Sequence, residues 1–183
     1  MDARATALDG VLVIEPKAFH DDRGLFFEAW ELERYAALGL PSEWRQDNVV
    51  HSRRGVLRGM HFQHPNGQHK LVYALEGEIF DVAIDVRRGS PTFGQWVGET
   101  LTAENRRQLS VAPGFAHGYL VLSDFAVVAY KCSTRYDPAA ERVIRWDDPE
   151  LAIAWPGRAT LVAPRDASAR RLGELAPPEL PDC

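Results

Sequence analysis

From Trp44 onward the chain is a succession of short apolar runs separated by polar turn clusters. The runs Trp44–Val50, Val56–Phe62, Lys70–Leu75, Glu78–Val86, Gln95–Leu101, Gln108–Val111, Ala116–Leu122 and Phe125–Lys131 read as strands. The clearest alternation lies in Glu78–Val86. Phe80, Val82, Ile84 and Val86 share one face, and Ile79, Asp81, Ala83 and Asp85 share the other. Asn66-Gly67 in the loop HPNGQ is a strong hairpin signal, and the strands on either side of Glu76-Gly77 are expected to pair. Upstream, Val11–Glu15 predicts a strand, Phe19–Gly24 a turn, and Leu25–Trp30 a second strand. Glu31–Leu38 is the one clear helical pattern, ended by Gly39 and Pro41. Downstream, Arg165–Leu172 predicts a short helix, and the proline-rich segment Ala176–Cys183 a frayed tail. Many short strands with evenly spaced turns predict a mainly β fold: a sandwich, jelly roll or barrel with a few short peripheral helices. Residues 1–183 are expected to form a single domain. Its core would span about 44–146, flanked by N-terminal strands and a helix at 11–40 and a C-terminal segment at 147–183.

Composition narrows the class. The chain has 183 residues, 45% of them apolar, enough for one packed core. A formal charge of −5 argues against a generic nucleic-acid binder. The only lysines are Lys17, Lys70 and Lys131, which makes Lys70, inside a polar-rich strand region, stand out. Cys132 and Cys183 are the only cysteines, so no disulfide framework is expected and a reducing compartment fits. No apolar run approaches the ~20 residues of a membrane span. The N-terminus lacks the apolar core of a signal peptide, so a cytoplasmic location without a membrane partner is expected.

Candidate chemistry concentrates between Gly55 and Asp85, which carries Arg58, His61, His64, His69 and Lys70 ahead of Asp81. His61 is either a catalytic base or a half-buried structural histidine. Lys70, Asp81 and His117, on neighbouring strands or their ends, favour a shared cavity. Alternation places Arg58 and His61 on opposite faces, so both can point inward only if the strand bulges near Gly59. The spacing H-x2-H-x4-H contains no H-x-H pair on one strand face, and His64 and His69, flanking the Asn66-Gly67 turn, are expected to face solvent. No metal site is predicted. Tyr130, in the apolar run FAVVAYK, is either a site residue or a buried phenol satisfied by backbone. Tyr136 and Asp166 read as surface groups, and Arg23 and Glu28 as either site residues or a surface ion pair.

Taken together, several segments resemble the dTDP-4-dehydrorhamnose 3,5-epimerases, the RmlC-type sugar-nucleotide epimerases. They are FHDDRGLFFE at 19–28, QDN at 46–48, GVLRGMHFQ at 55–63, QHKLV at 68–72 and GEIFDVAIDVRRGSPTFGQW at 77–96. PGFAHGY at 113–119, YKCSTRYDPAAE at 130–141 and DDPELAIAWP at 147–156 complete the set. The resemblance implies a cupin-type jelly-roll barrel, a homodimer exchanging N-terminal strands, and catalysis without metal or cofactor. It implies His61 as base, Asp166 as the aspartate orienting it, Tyr130 as acid and Lys70 at the keto oxygen. It further implies Gln46, Asn48, Arg58, Asp81, His117 and Tyr136 as substrate-binding positions, with Phe19, Arg23 and Glu28 reaching the nucleotide. The chain departs from the family pattern at Met60 and Phe62 around the histidine, at Val49-Val50 after QDN, and at Ala163 and Arg165 before Asp166. The implied substrate is dTDP-4-dehydro-6-deoxy-D-glucose, whose C3 and C5 hydrogens are acidic because they lie α to the 4-ketone. Inversion at one of these carbons alone, a metal-dependent cupin, and a catalytically silent binding module are the alternatives.

Overall fold

The structure, a computed structural model, describes residues 1–183. In chain order the strands are β1 (Asp2–Ala5), β2 (Val11–Glu15), β3 (Ala18–Asp21), β4 (Gly24–Phe27), β5 (Gln46–Arg53), β6 (Val56–Gln63) and β7 (Lys70–Glu76). They continue as β8 (Glu78–Asp85), β9 (Trp96–Thr102), β10 (Gln108–Val111), β11 (Phe115–Val121), β12 (Phe125–Cys132), β13 (Glu141–Val143) and β14 (Leu161–Val162). Helix α1 spans Leu32–Ala36 and α2 Pro164–Ala167.

Two facing sheets carry the fold. The first has the order β1-β2-β10-β7-β12-β5 and the second β13-β6-β11-β8-β9, with β14 running parallel beside β6. Along β5 to β8 and β9 to β12, every connection passes from one sheet to the other, which is the winding of a jelly roll and bears out the expected cupin-like β fold. This winding overturns two expected hairpins. Asn66 does adopt the left-handed conformation of a turn residue, at φ 62°, but β6 and β7 lie in opposite sheets. The segment between them spans the gap between sheets, about 10 Å, instead of reversing within one. The chain likewise changes sheets between β7 and β8 at Gly77. A side chain there would place Cβ 2.1 Å from the Phe125 carbonyl oxygen.

The core follows from strands that are apolar on both faces. Between the sheets lie Val13, Val72, Ile79, Ala83, Leu109 and Val121 with their neighbours. On the outer face of the second sheet, Val82, Ile84 and Val86 of β8 meet Met60, Phe62, Ile144, Leu172, Leu175 and Leu180. Ala176–Cys183 is therefore docked, contrary to the frayed tail expected. Leu180 is buried, Arg88 N–H donates to Pro181 O at 2.8 Å, and Cys183 N–H donates to Arg88 O at 3.1 Å. The apolar outer row of β8 needs a cover, and Leu172 and Leu175 ahead of the tail, with Leu180 within it, supply it. On the first sheet, α1 packs Tyr35 against Ile14 and Leu71.

Other boundaries also move. β3 runs on to Asp21 and pairs with β4, so the turn is confined to the tip. β4 stops at Phe27, short of the strand end expected at Trp30. β5 extends through the polar residues to Arg53, and β1 had no counterpart in the expected pattern. Glu31 caps α1, accepting from the Glu33 and Arg34 amides, and does not form part of it. Of the expected helix Arg165–Leu172, only Arg165–Ala167 is α-helical, as part of α2. No helix is long and apolar enough to cross a membrane.

Candidate active site

A cavity of about 960 Å³ opens between the sheets, walled by Gln46, Asn48 and Ser52 of β5, Arg58 and His61 of β6, Lys70 of β7, His117 and Tyr119 of β11, and Tyr130 of β12. Residues 161–166, Tyr136 and Glu141 line it as well.

The parity difficulty on β6 is resolved by a bulge. In the ladder with β11, His61 faces His117 while Arg58 faces Tyr119, so Gly59 and Met60 together oppose Gly118 alone. The extra residue restores Arg58 and His61 to the same side. Gly59 sits at φ 131°, and a Cβ there would lie 2.6 Å from Gly118 Cα. The bulge therefore requires glycine at its centre.

His61 Nε2 lies 2.9 Å from Asp166 Oδ1. Asp166 is buried and not the solvated charge expected from its local sequence. β14 runs alongside β6 and delivers α2, so that Asp166 Oδ2 also accepts the Gly59 N–H at 3.2 Å. Burial alone would raise the Asp166 carboxyl, but the His61 hydrogen bond and charge, the Gly59 amide and Arg165 outweigh it. The net shift is below the ordinary value. An ionised Asp166 accepts from Nε2–H, which leaves Nδ1 of His61 as the basic nitrogen, with no hydrogen-bond partner in the chain.

Across the cavity, Tyr130 comes from the first sheet. Its hydroxyl has no partner in the chain, and burial pushes its pKa up. Lys70 Nζ donates to the His61 carbonyl at 3.4 Å, and burial lowers its pKa. Arg58 makes no ion pair and donates from Nε to Ser52 Oγ. His117 Nε2 lies 2.8 Å from Asp81 Oδ1. Asp81 is fully buried behind His117 and does not line the cavity, so it joins the site only through that histidine. Gln46 Nε2 donates to Asn48 Oδ1 at 2.9 Å, and Gln46 Oε1 accepts the Tyr136 N–H at 2.8 Å.

Phe19, Arg23 and Glu28 are not brought to their own chain's cavity. Arg23 pairs with Asp21 at 2.5 Å and Glu28 with Arg34 at 2.6 Å, so the Arg23–Glu28 surface pair is not formed. The β3–β4 hairpin exposes Phe19 at 54% and Phe26 at 67%, with the two rings 6.4 Å apart.

His69 also departs from expectation. It is buried, with Nε2 2.7 Å from Ser110 Oγ and its ring edge-on to Trp44, and burial lowers its pKa to about 4. No three His, Cys, Asp or Glu side chains are grouped so as to hold a metal ion.

Glu141 and Ser52 were not singled out in the sequence, and Arg165 only as a departure from the family pattern. Tyr136 OH donates to Glu141 at 2.7 Å, Arg165 pairs with Glu141, and Arg165 Nη2 lies 3.4 Å from His61 Nε2. Ser52 was recoverable, since Gln46, Asn48, Val50 and Ser52 alternate along β5. Glu141 and Arg165 carry no comparable local signal.

Known proteins resemble this chain along nearly its whole length. The family model described as dTDP-4-dehydrorhamnose 3,5-epimerase matches residues 5–174. A dTDP-4-dehydrorhamnose 3,5-epimerase of Pseudomonas aeruginosa is 49% identical over 176 residues, covering 95% of this chain and 97% of its own length. A dTDP-4-dehydrorhamnose 3-epimerase of Streptomyces niveus is 42% identical over 176 residues, covering 95% of this chain and 85% of its own. The crystal structure of a Legionella pneumophila dTDP-6-deoxy-D-glucose-3,5-epimerase in complex with dTDP-4-keto-L-rhamnose matches with a TM-score of 0.97 and 47% identity. That match covers 100% of this chain and 98% of the other.

Proposed function

The chain belongs to the dTDP-4-dehydrorhamnose 3,5-epimerase family, and from that premise we propose how its cavity inverts C3 and C5 of dTDP-4-dehydro-6-deoxy-D-glucose to give dTDP-4-dehydro-L-rhamnose. The observation that carries the proposal is the pair formed by His61 and the buried Asp166 on one wall of a cavity whose other wall presents Tyr130.

His61 Nδ1 removes the hydrogen α to the 4-ketone, and the C–H electron pair moves into an enolate whose charge rests on O4. Asp166 holds the ring in the required tautomer and stabilises the imidazolium that forms. Lys70 and Arg58 face the enolate oxygen; loss of one such donor typically costs ~2.7–4 kcal/mol of barrier. Tyr130 then delivers its proton to the opposite face of the same carbon. Because base and acid stand on different sheets, proton removal and return occur from opposite sides, which is inversion. Both groups regain their starting states by exchange with water. No metal or cofactor is required, since the protein's own cations take up the developing charge. The nucleotide is held by Gln46, Asn48, His117 and Tyr136, and by Phe19, Arg23 and Glu28 of a second subunit whose hairpin reaches across a homodimer. Two free thiols and a nucleotide-linked substrate fit the cytoplasm.

Proton NMR in D2O with dTDP-4-dehydro-6-deoxy-D-glucose tests this directly. Deuterium should enter at C3 and C5, His61→Ala should abolish both exchanges, and Tyr130→Phe should impair net inversion more than the initial proton loss. Absence of exchange in the wild type would refute the activity. The likeness to the Streptomyces niveus 3-epimerase supports a second reading, inversion at C3 alone; product stereochemistry separates the two.

A further inference from the structure

Arg58 is anchored in an unusual way for a cation facing a cavity. It has no carboxylate partner in the chain, and its only side-chain hydrogen bond runs from Nε to Ser52 Oγ at 3.1 Å. Ser52 is buried, on β5 of the first sheet, whereas Arg58 stands on β6 of the second, so this bond, like that from Lys70 to the His61 carbonyl, links the two sheets at the cavity wall. Tyr119 flanks the contact. It is the register partner of Arg58 on β11, and its buried hydroxyl has no hydrogen-bond partner.

The arrangement has a geometric consequence. A guanidinium held only at Nε keeps both terminal nitrogens unengaged, and its plane is set by where the Nε acceptor sits. Without that acceptor, a long and rotamer-rich side chain lining an open cavity would be free to swing. A carboxylate in place of Ser52 would orient the arginine but also neutralise it. A buried hydroxyl orients it and leaves its charge available to an anionic ligand.

We propose that Ser52 is a positioning residue for Arg58, holding the guanidinium so that its terminal nitrogens face the substrate. The choice of substrate rests on the epimerase function proposed above; the contact itself rests on the geometry alone.

The test is a double-mutant cycle, with kcat/KM for deuterium incorporation read in Ser52→Ala, Ser52→Thr, Arg58→Lys and Ser52→Ala/Arg58→Lys. Arg58→Lys keeps the positive charge but removes the Nε donor. Ser52→Ala should lower kcat/KM about tenfold, the scale of one charge-assisted hydrogen bond, while Ser52→Thr, which retains Oγ, should stay within about threefold. In the Arg58→Lys background, Ser52→Ala should add less than about a twofold loss, because there is no longer an Nε to position. An equal loss in both backgrounds, or no loss in either, would overturn the proposal. Thermal unfolding of each variant checks that the fold persists. If the wild type fails to turn over the dTDP-sugar, the epimerase function is what has failed. The same proteins titrated with unreacted dTDP-4-dehydro-6-deoxy-D-glucose by calorimetry then decide the Ser52–Arg58 coupling, through Kd in the same four-way comparison.

Discussion

At the scale of single residues, the site depends on charges whose states are set by burial. In the proposed mechanism Lys70 stabilises the enolate only while protonated, and burial lowers its pKa. Its contribution should therefore be lost as pH rises through a value below the ordinary lysine range. Log kcat against pH should show a basic limb at that point. Lys70→Arg, which stays charged throughout, should lower kcat but move the limb to higher pH. A limb unmoved in Lys70→Arg would assign it to another group. Tyr130 works in the opposite sense: burial raises its pKa, which keeps the proton available for delivery. The residues making up this chemistry were legible to different degrees. His61, Lys70 and Tyr130 stood out as polar side chains within apolar strands. Asp166 did not, because its burial comes from a contact 105 residues away in the chain.

At the scale of elements, one bulge and one turn carry much of the geometry. The Gly59 bulge was inferable from a parity conflict: two candidate site residues three apart on one strand cannot share a face without it. The turn after β8 is organised by Asp85. Its carboxylate accepts from Arg87 Nε and N–H at 2.9 Å, and from the Ser90 and Thr92 hydroxyls at 2.6 Å. Burial alone would raise Asp85, but these bonds dominate and hold it at about 2. The unfolded chain takes up this proton at higher pH than the folded one. The stabilisation is thus complete above the unfolded pKa of about 4 and disappears as pH falls toward about 2. Asp85→Asn should lower stability by about 2 kcal/mol at pH 7, with the gap to wild type closing at low pH. Urea unfolding at pH 7 and pH 3 would show it; a gap independent of pH would mean the loss is one of packing. The expected hairpins at Asn66-Gly67 and Glu76-Gly77 failed for a shared reason. Turn chemistry reports local backbone conformation, whereas partner choice depends on which sheet must cover which apolar face.

At the scale of the whole molecule, the β3–β4 hairpin is the element its own subunit leaves uncommitted. It exposes Phe19, Leu25 and Phe26 and lies apart from the cavity of its own chain. If it completes the neighbouring site in a dimer, His61→Ala and Arg23→Ala subunits should complement each other. The heterodimer then holds one site with both residues intact, and an equimolar mixture after subunit exchange should recover about one quarter of wild-type activity. No recovery, in a sample that light scattering shows to be dimeric, would place the clamp and the base in the same subunit.

The sequence by itself determined the strand pattern, the mainly β class, the segments diagnostic of the family and the need for a bulge at Gly59, since these follow from side-chain periodicity and local backbone preference. Only the tertiary structure decided which strands pair, that Leu172, Leu175 and Leu180 help seal the outer face of β8, that His69 is buried against Trp44, and that Asp166 stands against His61. Each of these joins segments distant in the chain, and the free energy that selects them comes from burying one surface against another. A local pattern of residues reports the surface that must be covered, but not the segment that covers it.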